Sequence, residues 1–419
     1  MGTAQTGIAG DSLSCYTFRN SPGRFPRSPK PMDRRHALAL TGLALTGACR
    51  PKSNTASTET PAPSKPTPSE PLEGASLKPV VVDPARVIRK VAGLRPYRPE
   101  GFVVRREEVG DKVLIHNYGH GGGGMTLSWG SSLQAVRLAG PVSGLDCAVV
   151  GGGVMGLTTA RLLQLRGARV TLYAKALPPE TTSNIAGAQW WPFSVCDSQK
   201  RTEEFARQFV EAARLSFESF QLLVGPRWGV RWLPNYYLSQ NPHSNGWLSG
   251  PGSALHEFQI GFRDFGPGEH VFPMPHVRRF FTMMIEPPVY LATLLSEVQG
   301  AGASIDIREV PTRDAMLALP HTRIFNCAGL GAGPLTGDTS LMPVKGQLSI
   351  LMPQPGVDYN LIHGDYYMFP RADGIVLGGT YDRGNTDPTP EAEAAERIVA
   401  AHRSFFDRFR LSQEEALRA

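Results

Sequence analysis

Hydrophobic and polar positions divide the chain into three stretches. Ala37 to Ala48 (ALALTGLALTGA) is a short apolar run behind Arg34 and Arg35. From Pro51 to Pro79 the chain opens PKSNTASTETPAPSKPTPSEP, with Pro, Ser and Thr dominant and large apolar side chains almost missing, so it buries too little surface to offset the entropy of ordering it. Beyond Val80 the pattern is that of a folded body. Leu145-Asp146-Cys147-Ala148-Val149-Val150 is a mostly apolar run suited to a buried parallel strand. Leu157, Ala160, Leu162, Leu163 and Leu165 then keep helical spacing as far as Gly167, and Arg169-Val170-Thr171-Leu172-Tyr173 supplies a second strand. That predicts a strand-helix-strand start of about 30 residues. A long helix and a strand around Gly229 to Leu238 are expected within 200–271, an apolar strand at Ile324 and Phe325, and a helix around Glu391 to Phe409. No internal repeat is visible.

A chain of 419 residues has room for two or three domains. Hydrophobic residues at 41% fit an ordinary globular protein, and this excludes collagen and bulk disorder despite 45 Gly and 36 Pro. Much of the net charge of +6 comes from basic residues among the first 110; it marks a leader and no nucleic-acid face. The five cysteines form no CxxC or framework spacing, so neither a zinc site nor a disulfide scaffold is indicated. No apolar run reaches the 18 or so residues needed to span a bilayer. Met32-Asp33-Arg34-Arg35-His36 before the apolar run looks like an export signal of the twin-arginine kind, with Met32 as the true start, and Ala48-Cys49 resembles a lipoprotein cleavage site, which implies membrane attachment through a lipid on Cys49.

The first strand leads into Gly151-Gly152-Gly153-Val154-Met155-Gly156. A GxGxxG is weak alone and strong between a strand and a helix. Gly151 allows the tight turn, Gly153 lets the backbone approach a pyrophosphate, and Gly156 lets helix and strand pack closely, with Val154 and Met155 at the helix N-terminus that faces the phosphates. A Walker loop is excluded, because no Gly-Lys-Ser/Thr follows. The second strand ends in Tyr173-Ala174-Lys175, where an acidic residue usually holds the ribose.

Three blocks carry a resemblance. Thr181-Thr182-Ser183-Asn184-Ile185-Ala186-Gly187-Ala188-Gln189-Trp190-Trp191-Pro192 resembles the loop after the second strand of the D-amino acid oxidase family, and Asn326-Cys327-Ala328-Gly329 its strand end near the cofactor. Gly93-Leu94-Arg95-Pro96-Tyr97-Arg98-Pro99 with His116-Asn117-Tyr118-Gly119-His120-Gly121-Gly122-Gly123-Gly124-Met125-Thr126 is similar to a signature that ordinary members carry near the C-terminus. Here it precedes the glycine fingerprint, as in a circular permutation, which surface termini lying close together make physically reasonable.

The resemblance implies an α/β fold, with a Rossmann-type FAD-binding domain and a second, sheet-containing substrate domain. The expected division is a leader over 1–49, a disordered linker over 50–79, FAD-binding domain over 80–199, mainly substrate domain over 200–310, FAD-binding domain over 311–340, substrate domain over 341–390 and a C-terminal helix over 391–419. It implies FAD as cofactor, a D-amino acid and molecular oxygen as reactants, and no nucleic-acid partner. Arg95 would pair bidentately with the substrate carboxylate, a planar fork that Lys cannot reproduce. Tyr367 would hold the same carboxylate and the Gly122 carbonyl would receive the amine. The cofactor would lie against Gly151, Gly153, Val154, Met155 and Gly156, against Thr181, Thr182, Ser183, Gly187, Ala188 and Gln189, and against Gly121, Gly123, Gly124, Met125 and Thr126.

His363 stands where some members carry a lid tyrosine. His116 and His120 lack a third ligand and read as residues near the cofactor, so no metal is expected, and Cys327 lies in an apolar strand without a partner base. Three activities stay open: D-amino acid oxidation with release of peroxide; oxidation of glycine or N-methyl amino acids, or a dehydrogenase passing electrons elsewhere; and an exported flavoprotein without catalysis, in which Arg95 and Tyr367 would not converge.

Overall fold

A computed structural model describes residues 71–418; the leader, with Arg34, Arg35 and Cys49, and most of the linker lie outside the described residues. In chain order the elements are β1 (Val87–Tyr97), β2 (Val103–Val109), β3 (Lys112–Tyr118), α1 (Gly124–Leu138), β4 (Asp146–Val150), α2 (Val154–Leu165), β5 (Arg169–Ala174) and α3 (Thr182–Ile185). There follow α4 (Glu203–Leu222), β6 (Val230–Ser239), β7 (Ile260–Phe265), β8 (His276–Ile285), α5 (Pro287–Gly300), β9 (Ser304–Ile307), α6 (Arg313–Leu317), β10 (Arg323–Asn326) and α7 (Ala332–Thr336). The last are β11 (Met342–Leu351), β12 (Asn360–His363), β13 (Tyr366–Arg371), β14 (Gly374–Gly378), β15 (Asp382–Arg383) and α8 (Ala392–Arg418).

Two sheets result. The first has the order β2-β3-β10-β4-β5-β9 and is parallel apart from β2. Cys147 to Val150 of β4 are buried on both faces, the burial that a near-continuous apolar run demands of a central parallel strand. One face carries α1 and α2, with α4 and α5 packed on them. The other face is closed by Val310, Met316, Leu319 and Leu335 against Leu114, Ala148 and Ile324. The strand-helix-strand start predicted from hydrophobic spacing is β4-α2-β5.

The second sheet runs β1-β11-β14-β13-β12-β6-β8-β7, with β15 also on β11, and is antiparallel except where β12 meets β6. Side chains alternate between its faces, as pleating requires. Tyr236, Leu238, Leu361, Met368, Ile375 and Leu377 meet Ile398, Val399, Phe405, Phe406 and Phe409 of α8. Leu233, Met284, Leu348, Ile350, Phe369 and Val376 point the other way, with Ile362 and Tyr367 beside them.

The structure moves three expected boundaries. The folded body includes residues before 80: Glu73 bridges to His270, accepts from the Tyr236 hydroxyl at 2.7 Å and pairs with Arg279 at 2.7 Å, so a buried tyrosine and a half-buried arginine hold a stretch whose composition alone reads as tether. Strand β1, assigned to the FAD-binding domain with 80–199, pairs with β11 at the edge of the second sheet. The stretch 200–310 serves both layers, since α4 and α5 pack on α1 and α2 and β9 closes the first sheet beside β5, while β6, β7 and β8 belong to the second. Local pattern fixes a strand's period and leaves its partner open.

Candidate active site

Three parallel strands of the first sheet end on one side. Strand β3 runs into the Gly121–Gly123 turn and α1, β4 into Gly151 and α2, and β10 into Asn326 and Gly329. Ligands of such sheets lie outside these carboxyl ends, where helix N-termini offer unpaired N–H groups. The glycines there are sterically required. Gly151 has φ 122°, and a Cβ on it would stand 2.3 Å from the Cys327 carbonyl oxygen; a Cβ on Gly156 would stand 1.8 Å from the carbonyl oxygen of Gly151. Gly153 faces the Ser183 hydroxyl, which accepts from the Val154 N–H at 3.1 Å. Met155 is buried in the first turn of α2.

The stretch 181–195 leads from that helix end across the second sheet. Thr181 flanks α3, which starts at Thr182, and Ile185 lies over Gly93 of β1. A Cβ on Gly187 would meet the rings of Phe369 at 2.9 Å and Tyr367 at 3.2 Å. Ala188 and Ser194 hold left-handed backbone, φ 63° and 53°, which non-glycine residues adopt only where surroundings impose it. The Gln189 amide donates to the Tyr237 hydroxyl at 3.2 Å, and the Gln189 backbone carbonyl accepts from Thr126 of α1 at 3.3 Å. Gly121, Gly122 and Gly123 pack on Ser194, Phe193 and Val195, and the Gly122 N–H donates to the Ser194 carbonyl at 3.0 Å. Gly124 and Met125 open α1, with Met125 and Thr126 buried.

Arg95 and Tyr367 converge on the inner face of the second sheet. Arg95 reaches over Gly346 of β11, where a Cβ would stand 2.2 Å from its guanidinium; Tyr367 lies over Gly378 of β14, where a Cβ would stand 2.1 Å from its ring. These two glycines clear a floor across β1, β11, β14 and β13 on which the side chains approach one another. Burial pushes the Tyr367 phenol up, opposed by the charge and hydrogen bond of Arg95. Nη1 of Arg95 is buried without a partner, and no acid pairs with this guanidinium among the described residues. A buried cationic donor in that state is the missing half of a pair with an anion. Tyr97, two residues on, bridges to His120 and so ties this sheet to the glycine turn beside α1.

Residues 146–418 match the family described as FAD dependent oxidoreductase. The chain belongs to this family. It is 32% identical over 258 residues to the D-amino-acid oxidase of Rubrobacter xylanophilus, covering 60% of this chain and 74% of that protein. With the D-amino-acid oxidase of Streptomyces coelicolor the identity is 32% over 260 residues, 60% of this chain and 75% of that one. With the D-aspartate oxidase of Homo sapiens it is 28% over 263 residues, 60% and 73%.

The residues present suit the cofactor of an FAD-dependent oxidoreductase: the space a Cβ at Gly151 or Gly156 would need is already filled by backbone, and α1 and α2 bring their N-termini to one edge. The ribose partner absent at Lys175 is not replaced there, since that side chain is exposed and pairs with Glu309 at 3.6 Å. Three groups escaped sequence reading. Gly346 and Gly378 make the floor, and Tyr381 stands with its ring centre 5.9 Å from the Arg95 guanidinium; only strand pairing reveals them. Arg383 also faces Tyr381 and salt-bridges Asp197, which accepts from the Tyr97 hydroxyl at 2.6 Å.

His363, which stands where some members carry a lid tyrosine, lies on the opposite face, its ring stacked 4.3 Å from Phe405, and burial depresses its pKa to about 3. An odd-even shift from Ile362 suffices to turn it away. His116 bonds Glu107 at 3.0 Å and Asn326 at 3.3 Å, and His120 bonds Ser131 at 2.9 Å. No cluster able to hold a metal occurs among the described residues. Burial pushes the Cys327 thiol up to about 12, which makes it a poor nucleophile at neutral pH.

Proposed function

We propose that the protein oxidises a D-amino acid to the imino acid, with oxygen as electron acceptor and hydrogen peroxide as its product. The observation that carries this reading is the Arg95 guanidinium beside Tyr367, its Nη1 buried without a partner and no acid paired with it among the described residues, on a glycine floor facing the FAD-binding sheet. Arg95 binds the substrate carboxylate as a fork and the Tyr367 hydroxyl donates to it, so the molecule is fixed at one end. Gly122 offers its backbone carbonyl to the amine. With carboxylate and amine held, the α-hydrogen has a single direction in which to point, which is orientation catalysis without a side-chain base. Bound FAD supplies the acceptor for that hydrogen and its electron pair. The stretch 181–195, lying on both the α2 N-terminus and the second sheet, covers the reacting groups and keeps water away.

The same reading includes a permuted chain order. It is supported by the signature block standing before the fingerprint, by a family match that begins at residue 146, and by the packing of Val80 and Val82 on Phe405, Phe406 and Phe409 of α8. Gln413 near the end of α8 donates to the Gly74 and Leu77 carbonyls at 2.9 and 2.8 Å, so the segment that leads to β1 lies against the end of the last helix.

The test is peroxide release by the purified yellow protein across paired D- and L-amino acids, with glycine and sarcosine alongside. The expected result is peroxide from D-isomers only. Turnover confined to glycine or sarcosine, or flavin reduction without peroxide, would replace this reading with the corresponding oxidase or dehydrogenase.

A further inference from the structure

Pairing across β11 sets a second arginine beside the anchor. Arg95 of β1 lies opposite Val344 of β11, and Val344 lies opposite Arg383 of β15. Residues paired in register share a face of a sheet. The two arginines therefore stand on the same face with one strand between them, about 10 Å apart at the spacing of adjacent strands. Tyr381, two residues before Arg383, lies between their side chains: its ring centre is 5.9 Å from the Arg95 guanidinium and 5.7 Å from that of Arg383. Arg383 is the outer of the two, its side chain 41% exposed, whereas Arg95 keeps a nitrogen buried.

What differs is the occupant of each fork. Arg95 has no acid beside it, whereas Nη2 of Arg383 donates to Oδ1 of Asp197 at 2.5 Å and Nη1 to Oδ2 at 3.2 Å. Asp197 is fixed in turn. Its carboxylate accepts from the Tyr97 hydroxyl at 2.6 Å, and its backbone N–H donates to the Pro99 carbonyl at 2.8 Å. The Arg383 hydrogen bonds hold the Asp197 carboxyl below the usual carboxylate range, so it is charged at neutral pH. A guanidinium fork takes one carboxylate in two parallel bonds. An amino acid arriving from the solvent side thus meets two guanidiniums of equal shape, of which only the inner one is vacant. A carboxylate seated on Arg383 instead would leave Tyr367 and the Gly122 carbonyl without their ligands, and the orientation that carries the reaction would be lost.

We infer that Asp197 is an internal stand-in for the substrate carboxylate: it fills the Arg383 fork, so that of the two guanidiniums only Arg95 is open, and the substrate binds in one orientation. Asp197 and Arg383 are positioning residues, and neither touches the substrate in the productive complex. The inference rests on the role given to Arg95 in the oxidation proposed above and adds what keeps a competing site closed.

The test counts bound propionate, a carboxylate without an amine, by calorimetric titration of the full-length holoprotein. Wild type should bind one and Arg95→Ala none. Asp197→Asn should bind two, its combination with Arg95→Ala one, and its combination with Arg383→Gln again one. In turnover of the best D-amino acid, Asp197→Asn should lower the rate at high substrate at least about threefold while kcat/KM stays within about twofold of wild type, as unproductive binding requires. Adding Arg383→Gln should restore the rate, which the removal of a second charge would not do for a merely loosened loop. Should Asp197→Asn not be recovered soluble, Asp197→Ser opens the same fork. A single propionate site in the folded Asp197 variant, or a rate deficit that Arg383→Gln leaves in place, would overturn the inference while leaving Arg95 as the anchor. Wild type without any propionate site would instead fail the anchor; a site that then appears in Asp197→Asn and goes with Arg383→Gln would still support the filled fork, and its absence would refute it.

Discussion

Arg95→Ala is expected to lower kcat/KM for the best D-amino acid by about a thousandfold or more, the scale on which a buried carboxylate loses a charged, hydrogen-bonded partner, at 1.4 kcal/mol per factor of ten. The guanidinium has a buried nitrogen without a partner, and Tyr367 and Tyr381, which carry no charge, are its neighbours. Arg95→Lys should recover little of the loss, because an ammonium supplies one point of charge where the carboxylate meets a fork. Flavin content should stay near wild type, since β1 lies in the second sheet and the fingerprint glycines in the first. Steady-state kinetics with the flavin-to-protein absorbance ratio reads both effects. Near-native turnover in either variant would remove Arg95 as the anchor.

Gly156→Ala is expected to yield protein without FAD. Its new methyl group would fall 1.8 Å from the Gly151 carbonyl oxygen, and the contact is backbone, which has no rotamer to yield. Helix α2 must then shift off β4, carrying its N-terminal N–H groups away from the phosphates they face. A Cβ at Gly300, at the end of α5, meets nothing within 4 Å, so Gly300→Ala should keep full flavin and at least wild-type Tm. Absorbance of the purified proteins and a thermal melt decide the matter; Gly156→Ala purified with stoichiometric flavin would contradict the placement of the cofactor.

Where a feature depends on neighbours in sequence, it could be read before any fold was known. The run Cys147 to Val150 had to be central because it is apolar on both faces, and the glycines after it had to serve a close turn. Arg95 was legible only through its resemblance: a half-buried arginine in a strand is otherwise a surface residue. What makes it a site is the clearance at Gly346 and Gly378, more than 250 positions away and brought alongside by antiparallel pairing. At His363, position in the chain says less than the two-residue period of β12, which points the ring at α8.

Anaerobic mixing of the purified holoprotein with D- and L-amino acids tests the central claim most directly, because bleaching of the oxidised flavin band reports substrate oxidation whatever the final electron acceptor. The expected result is rapid bleaching by D-isomers, none by L-isomers at equal concentration, and bleaching slowed at least a thousandfold in Arg95→Ala. Equal bleaching by both enantiomers, or a rate indifferent to Arg95, would contradict a substrate held by its carboxylate on the floor between Arg95 and Tyr367.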